Sequence, residues 1–281
     1  MSSPDRSRRS HLFAPASNER VVHKALDSDA DAVVLDLEDA IEQSERGLAR
    51  DVLMEAARSI ASRPTHVRIG IVDGRYAEDD VAMVSRLEIE AVRLPKVETA
   101  DAVVAVAHAL QSAGSSASIH LTIESARGLV RLQEVAAVSE RISRVVFGER
   151  DFLADMGVDE PGLITDHARG EIAIVSRSMA LAPPIDGAFI DLEDTEGLRH
   201  SCERARALGF GGKSALHPKQ LDVIHDVFSP NAAEVERASA LVAAFDAARR
   251  RGEVMTVVDG RFVDEAVARR ARSVLQQVEG V

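Results

Sequence analysis

The sequence of 281 residues is poor in cysteine and in aromatic side chains. Its one cysteine, Cys202, cannot form a disulfide within the chain, and its predicted helical setting indicates a structural thiol. Tryptophan is absent and aromatic residues make up 3% of the chain, which argues against stacking on nucleic-acid bases. No apolar run approaches the roughly 20 residues that a membrane-spanning helix needs. We therefore expect a cytoplasmic protein that does not bind nucleic acid or insert into a membrane.

Positive charge is also scarce. The chain has 34 lysine and arginine residues against 46 aspartate and glutamate residues, a formal net charge of −12. This balance argues against a nucleic acid or an anionic membrane surface as the main partner, and an anionic substrate would need a local basic cluster. With 46% hydrophobic residues, the chain is long enough for one α/β barrel of about 250 residues and an extension.

Short apolar runs alternate with helical patterns eight times along the chain. The predicted strands are residues 11–15, 32–35, 65–71, 91–95, 119–123, 144–148, 183–189 and 211–217. This alternation favours a closed (β/α)₈ TIM barrel over an open doubly wound sheet. No G-x-G-x-x-G or Walker-type loop supports the open alternative.

The barrel is expected to occupy residues 1–228, and residues 229–281 are expected to form a separate C-terminal extension. This extension contains two helical patterns and a hairpin signal at Asp259-Gly260. A barrel does not need such a segment to close. We therefore predict that it forms a lid over the active site of a neighbouring subunit.

Two predicted strands end in carboxylates at a spacing that brings them together. Glu124 follows the fifth strand and Asp151 follows the sixth, 27 residues later, which is the length of one βα repeat. Because parallel strands end at one rim, both side chains should lie where α/β barrels place their chemistry. Two oxygen ligands with room for water suit Mg²⁺ better than Zn²⁺. The alternative is that these acids only mark strand ends.

Other charged residues at the predicted rim have competing interpretations. Arg68 ends the third strand and either stabilises an oxyanion or pairs structurally with the acids after the second strand, where Asp36 is expected to bind backbone groups. Lys96 could form a Schiff base, as in other barrel aldolases, but the paired carboxylates favour a metal. Lys213 serves either a phosphate, an acid in the barrel mouth, or neither.

The segments RSHLFAP, ADAVVLDLEDA, LPKVE, FGERDFLADMG, LGFGGKSALHPKQ and VVDGRFVDEAV, taken in order, resemble one known family. This is the citrate lyase β-subunit and malyl-CoA lyase family of the HpcH/HpaI aldolase superfamily, and the resemblance covers nearly the whole chain. It implies a (β/α)₈ barrel, assembled as a homotrimer or hexamer. It also implies a Mg²⁺-dependent lyase that cleaves or forms a carbon–carbon bond in 3-hydroxyacyl-CoA thioesters, such as malyl-CoA or citramalyl-CoA.

By this resemblance Glu124 and Asp151 are the metal ligands, and Arg68 grips a carboxylate or carbonyl oxygen of the substrate. Asp264 matches the acid/base that the C-terminal segment contributes to a neighbouring subunit's site. From the sequence pattern alone, the cap of the final helix is the favoured role for Asp264, because aspartate is well suited to that position. The two roles are compatible.

The resemblance further implies contacts with the CoA part of the substrate and with waters on the metal. The residues that match the CoA contacts are Phe13, Lys24, Leu216 and His217, and the acids that match those holding metal-bound waters are Glu38 and Asp39. The chain departs from the common family pattern at Ala16, Asn18 and Gly70, where many members have glycine, arginine and asparagine. These departures affect the expected CoA contacts and the choice of acyl group.

The sequence therefore predicts a carbon–carbon lyase acting on a CoA thioester. Two alternatives stay open. One is a metal aldolase on the same barrel plan that acts on free 2-oxo acids without CoA. The other is a citrate lyase β-type subunit that acts on an acyl-carrier-protein thioester only within a complex.

Overall fold

The computed structural model of the protein describes residues 8–72 and 75–279. Residues 1–7 of the predicted barrel and 280–281 of the predicted extension lie outside the described residues. The chain divides into two compact units, the first ending at His225 and the second beginning at Asp226. The first unit carries the strands and helices on which the site is built.

The first unit is a closed barrel of eight parallel strands in sequential order, with the last strand paired to the first. The predicted TIM-barrel fold is therefore confirmed. The strands are β1 Ser10–Pro15, β2 Ala32–Asp36, β3 Thr65–Arg68, β4 Ala91–Leu94, β5 Ser118–Ile123, β6 Ile142–Phe147, β7 Ile185–Asp186 and β8 Gly212–Ala215. A small antiparallel hairpin that was not predicted, Ile71–Val72 with Arg75–Tyr76, follows β3.

Helices surround the barrel and form most of the second unit. Within the described residues they are α1 Glu19–Leu26, α2 Arg46–Glu55, α3 Ala57–Ala61, α4 Glu78–Val84, α5 Ala100–Ser112, α6 Ala126–Val130, α7 Leu132–Ala136, α8 Glu149–Met156, α9 Leu163–Ser178, α10 Thr195–Ala207, α11 Leu221–Phe228, α12 Ala232–Arg250 and α13 Glu265–Glu279. Short 3₁₀ turns cover Gln43–Glu45 and Pro218–Gln220. None of the helices in this part of the chain is both long and apolar enough to cross a membrane.

The strand predictions were right in number and order, but β7 is much shorter than predicted. The predicted run 183–189 reduces to Ile185–Asp186. Pro183 and Pro184 carry no backbone N–H, so they cannot donate to a strand ladder. In contrast, β2 is continuously buried, as expected for a parallel strand that is covered on both faces.

Local contacts define the start of α1 and the setting of Cys202. The Asn18 side chain accepts a hydrogen bond from the backbone N–H of Val21 at 3.2 Å and so caps α1. Cys202 is fully buried on α10, and burial raises the pKa of its thiol to about 12. Both facts fit a structural cysteine.

A layer of polar side chains that the apolar strand pattern did not reveal fills the barrel interior. The rings of His11, His66 and His120 are fully buried, with centroids 5.1 Å apart for the first two and 4.6 Å apart for the last two. Arg93 Nη2 lies 2.5 Å from His11 Nδ1. Burial lowers the pKa of His66 to about 3, although the hydrogen bond that its ring donates to Glu90 acts in the opposite direction, and burial likewise lowers the pKa of His11. Both rings are therefore neutral near pH 7.

The second unit is a helical hairpin with a β-hairpin between its two helices. Asn231 caps α12 in a capping box with Glu234. Strands Thr256–Val258 and Arg261–Val263 pair across Asp259 and Gly260, whose φ angles of 48° and 75° fit the turn that an Asp-Gly pair favours. A small core that includes Phe245 holds the unit together.

The buried histidines predict acid sensitivity of the barrel. The pKa of His66 is lower in the folded than in the unfolded protein, so the unfolded chain binds the extra proton between about pH 6.5 and pH 3. As the pH falls through that window, His66 should therefore lower the free energy of unfolding by about 1.4 kcal/mol for each pH unit. His66→Gln should flatten the pH dependence in denaturant titrations at pH 7, 6, 5 and 4.

His108→Gln provides the matched control, because His108 is exposed on α5. That variant should keep the pH dependence of the native protein. An unchanged slope in His66→Gln would contradict the assignment of a neutral buried ring.

Candidate active site at the barrel mouth

A cavity of about 480 Å³ opens where the barrel strands end. Its lining includes Phe13 from β1, Asp36 from β2, Arg68 from β3, Glu124 after β5 and Asp151 on α8. We call it the mouth cavity. The parallel strands bring these residues together although they are distributed over about half of the chain.

Glu124 lies at the base of the acidic side of the mouth cavity. It is 4% exposed, and its Oε1 accepts a hydrogen bond from the backbone N–H of Lys96 at 2.6 Å. Burial, together with the charges of Glu38 and Asp151, raises the pKa of Glu124 to about 8. The crowding of negative charge around Glu124 is what a bound cation would relieve.

Gly148, directly before α8, leaves the space that Glu124 occupies. A Cβ at position 148 would lie 2.5 Å from Glu124 Oε2 and 2.6 Å from Glu124 Cβ. Any larger residue at 148 would therefore push the carboxylate from its place. Asp151 follows in the first turn of α8, where its side chain is exposed.

Arg68 is held by three acids at the end of β2 and directly after it. Its Nε and Nη2 bind the two carboxylate oxygens of Asp36, each at 2.6 Å. Its Nη1 lies 2.9 Å from Glu38 Oε2 and 3.2 Å from Asp39 Oδ2. The structural ion pair considered for Arg68 is thus present. A guanidinium has five N–H donors, and three of them hydrogen-bond to Asp36 and Asp39, so donors remain for a ligand in the mouth cavity that Arg68 lines.

Asp36 and Lys96 also have defined contacts at the rim. Asp36 accepts hydrogen bonds from the backbone N–H groups of Glu38 and Ala40, which fits its predicted structural role. Lys96 Nζ lies 2.5 Å from Glu38 Oε1 and 3.5 Å from Asp39 Oδ1. Burial alone would lower the pKa of Lys96. The hydrogen bond to Glu38 and the charge of Glu38 outweigh this effect, so the pKa of Lys96 is raised. A Schiff base needs the neutral amine, so this environment argues against that role.

The donor set of the mouth cavity suits a hard divalent cation. Among the described residues no three His, Cys, Asp or Glu side chains form a cluster that could hold a metal by themselves. Zn²⁺ in proteins usually takes three or four such ligands. Mg²⁺ is commonly bound by one or two carboxylates and keeps water and substrate oxygens as further ligands. Glu124 and Asp151 therefore fit Mg²⁺ better than Zn²⁺.

The residues predicted to contact CoA are only partly brought together. Phe13 lines the mouth cavity, where Arg68 Cζ lies 5.1 Å from its ring centroid, and Leu216 lines it after β8. His217 Nδ1 accepts a hydrogen bond from the backbone N–H of Lys219, so its ring caps a turn. Lys24 is exposed on α1 and does not line the cavity.

A buried charge network beneath the cavity was missed by sequence reasoning. Arg169 joins Glu149, at 2.7 Å, to Asp186, at 2.9 Å, and Lys213 Nζ lies 2.5 Å from Asp186. Lys213 therefore pairs with a fully buried acid, whereas the alternative considered for it was an acid in the barrel mouth. The signal that could have identified its partner was Asp186, an acid inside an otherwise apolar strand.

The structure also defines the local roles of Asp264 and Gly70. Asp264 lies in the second unit, where it accepts a hydrogen bond from the backbone N–H of Val267 at 3.0 Å and so caps α13. At Gly70, a Cβ would lie 2.4 Å from Arg46 Cζ. The Arg46 guanidinium therefore occupies the space that a side chain at position 70 would need.

Comparison with known proteins places the barrel in one family. The model of the HpcH/HpaI aldolase/citrate lyase family matches residues 9–218. A (3S)-malyl-CoA thioesterase from Cereibacter sphaeroides is 33% identical over 97% of this chain and 95% of its own length. An L-malyl-CoA/β-methylmalyl-CoA lyase from Rhodobacter capsulatus is 32% identical over 98% of this chain and 96% of its own length.

A solved structure supports the same relationship. CitE from Mycobacterium tuberculosis, in complex with magnesium, acetoacetate and coenzyme A, aligns with a TM-score of 0.81 and 26% identity. The alignment covers 96% of this chain and 98% of the CitE chain. The likeness thus extends beyond the residues that the family model matches.

The contact between positions 148 and 124 can be tested directly. In Gly148→Ala the added methyl group would displace the Glu124 carboxylate, so affinity for a divalent cation should fall about 10-fold or more while the fold persists. Calorimetric titration with Mg²⁺ measures the first effect and thermal unfolding the second. Gly170→Ala on α9, where a Cβ meets no atom within 4 Å, should leave cation affinity unchanged. Equal affinities in the two variants would contradict the role of Glu124.

Proposed function

The chain belongs to the HpcH/HpaI aldolase/citrate lyase family, and from this premise we propose that it is a Mg²⁺-dependent carbon–carbon lyase. Its substrate is a 3-hydroxyacyl-CoA thioester of the malyl-CoA or citramalyl-CoA type. The observation that carries the proposal is the pair of carboxylates, Glu124 and Asp151, beside the anchored Arg68 in one cavity. The names of the relatives, which include malyl-CoA enzymes and a CitE complex with magnesium and coenzyme A, support the CoA thioester.

The proposed reaction is a retro-aldol cleavage. The substrate hydroxyl loses its proton, and the electron pair of its O–H bond forms a carbonyl. The bond between the hydroxyl-bearing carbon and the carbon next to the thioester breaks, and its electron pair forms the thioester enolate. Protonation of that enolate gives the acyl-CoA, and the other product is a 2-oxo acid.

The residues of the mouth cavity divide this task. Glu124 and Asp151 would hold Mg²⁺, which when bound supplies positive charge that stabilises a developing oxyanion. Arg68 is fixed in place by hydrogen bonds to Asp36 and Asp39 and by the charge of Glu38, so its remaining N–H groups need no reorganisation to bind a substrate oxygen. Losing one such fixed donor typically costs about 100- to 1,000-fold in rate.

The second unit completes the proposal. In a homotrimer or hexamer, residues 229–281 of one subunit would cover the mouth cavity of a neighbour and present Asp264 as the acid that protonates the enolate. An exposed carboxylate at a helix start is free to take such a role while its cap is kept. CoA would contact Phe13, Lys24, Leu216 and His217.

A thioesterase is the second candidate, because one of the most similar relatives carries that name. Hydrolysis would break the carbon–sulfur bond and leave the acyl carbon skeleton intact. The two reactions therefore differ in their products: a 2-oxo acid and an acyl-CoA for the lyase, or a free hydroxy acid and the CoA thiol for the thioesterase. The CoA-linked relatives give less support to an aldolase on free 2-oxo acids or to a carrier-protein-dependent subunit.

The main test is product analysis with purified protein, Mg²⁺ and malyl-CoA or citramalyl-CoA. We expect 2-oxo acid and acyl-CoA in equal amounts, and we expect Glu124→Gln to lower the rate by at least about 100-fold. EDTA should abolish turnover, and added Mg²⁺ should restore it.

Glu134→Gln is the control for the loss of a carboxylate, because Glu134 is an exposed residue of α7 paired with Arg131. It should keep the native rate. Release of the CoA thiol without 2-oxo acid would favour the thioesterase, and no turnover of any CoA thioester would overturn the proposed function.

The sharing of Asp264 between subunits can be tested by mixing two inactive variants. Asp264→Asn keeps a good helix cap but removes the acid, so it should lower turnover about 100-fold without lowering the melting temperature. Mixed with Glu124→Gln and allowed to exchange subunits, it should regain part of the native activity, because some cavities would combine two intact partners. No recovery despite demonstrated subunit exchange would contradict the shared site.

A further inference from the structure

Lys96 has a backbone conformation that its residue type disfavours. Its φ angle is 49°, and it is one of three non-glycine residues with positive φ in the described part of the chain. The left-handed conformation brings the Cβ of a non-glycine residue too close to the following carbonyl oxygen, so glycine would be easier to place here. Such an outlier in a candidate site suggests that the side chain has a task.

The neighbouring contacts fix this conformation from both sides. The carbonyl of Pro95 accepts a hydrogen bond from the Tyr76 hydroxyl at 2.9 Å. The backbone N–H of Val97 binds the carbonyl of Thr122 at 3.2 Å, which returns the chain to β5. Because Pro95 has no N–H, that of Lys96 is the first donor after β4, and it binds Glu124 at 2.6 Å.

The two ends of Lys96 therefore hold two different acids. The backbone N–H binds the candidate ligand Glu124, while the ammonium binds Glu38 at 2.5 Å. Glu38 is 6% exposed, and the contact with Lys96 places its carboxylate one residue's length from the backbone N–H that binds Glu124. Arg68 contacts the other oxygen of Glu38, but Arg68 is also bound at both oxygens of Asp36.

We propose that Lys96 is a positioning residue that keeps Glu38 apart from the cation bound at Glu124 and Asp151. Without the ammonium, Glu38 would turn towards the cation as a third carboxylate ligand. The cation would then bind more tightly, but it would lose a position that the substrate needs. This inference rests on the proposed function only for its effect on turnover, and its effect on the cation is independent of the substrate.

The test is Lys96→Gly, which keeps the backbone N–H and suits the positive φ but removes the ammonium. Titration with Mg²⁺ should show binding about 10-fold tighter, because the released Glu38 carboxylate joins Glu124 and Asp151 as a ligand. The kcat/KM for the thioester should fall by about 10-fold or more. A residue needed only for folding would instead lower the melting temperature, cation affinity and turnover together.

Two further variants sharpen the result. Lys96→Arg retains a cation that can reach Glu38 and should restore cation affinity and turnover towards native values. In a Glu38→Gln background, Lys96→Gly should no longer tighten Mg²⁺ binding, because the residue through which it acts is neutral. Ala180→Gly relieves the left-handed conformation at a site outside the mouth cavity and should change neither cation affinity nor turnover.

Several outcomes would overturn the inference. These are weaker or unchanged Mg²⁺ binding in Lys96→Gly, the same tightening in both Glu38 backgrounds, or native kcat/KM in a lyase-active Lys96→Gly protein. If the native protein cleaves no CoA thioester, the proposed function fails by itself. The Mg²⁺ titrations then still decide whether Lys96 holds Glu38 back.

Discussion

Repulsion among carboxylates at the barrel mouth is the constraint on which the rest of the site depends. Glu124 and Asp151 line the same cavity as Asp36 and Asp39, and burial makes the repulsion among them stronger than it would be in water. Arg68 and Lys96 are side-chain cations that oppose this repulsion from within the chain. Each is bound to more than one acid, so neither can move without changing the positions of several carboxylates.

Buried acids are also paired with cations below the cavity. Glu149 and Asp186 are linked through Arg169, and Lys213 lies against Asp186 in the fully buried interior. Removing one member of such a buried pair leaves an uncompensated charge and is usually strongly destabilising. The barrel interior thus supports the mouth cavity by charges whose partners are fixed, rather than by apolar packing alone.

The order of the strands, the paired carboxylates and the cap of the final helix could be predicted because each leaves a local pattern. Glu124 and Asp151 directly follow or nearly follow apolar runs, and parallel strands must end at one rim. The family resemblance was also visible in the sequence, and the match of the family model agrees with it.

The contacts that were not predicted depend on side chains far apart in sequence. His11, His66 and His120 each sit singly in an apolar strand, so nothing in one strand indicates that their rings meet. Asp186 was taken as part of a longer strand, although the prolines before it shorten β7. The left-handed backbone of Lys96 could not be read from its residue type, which ordinarily avoids that conformation.

The shortness of β7 gives the barrel a seam. It pairs with β6 at one register position, Val146 with Ile185, and with β8 at two, whereas β1 and β2 pair at five. Few backbone hydrogen bonds link β7 to its neighbouring strands. The ion pairs of Asp186 with Arg169 and Lys213 also hold β7 in place. Local unfolding begins where the fewest hydrogen bonds protect the backbone. The hydrogen bonds of β7 with β6 and β8 should therefore open more often than those between the other strands.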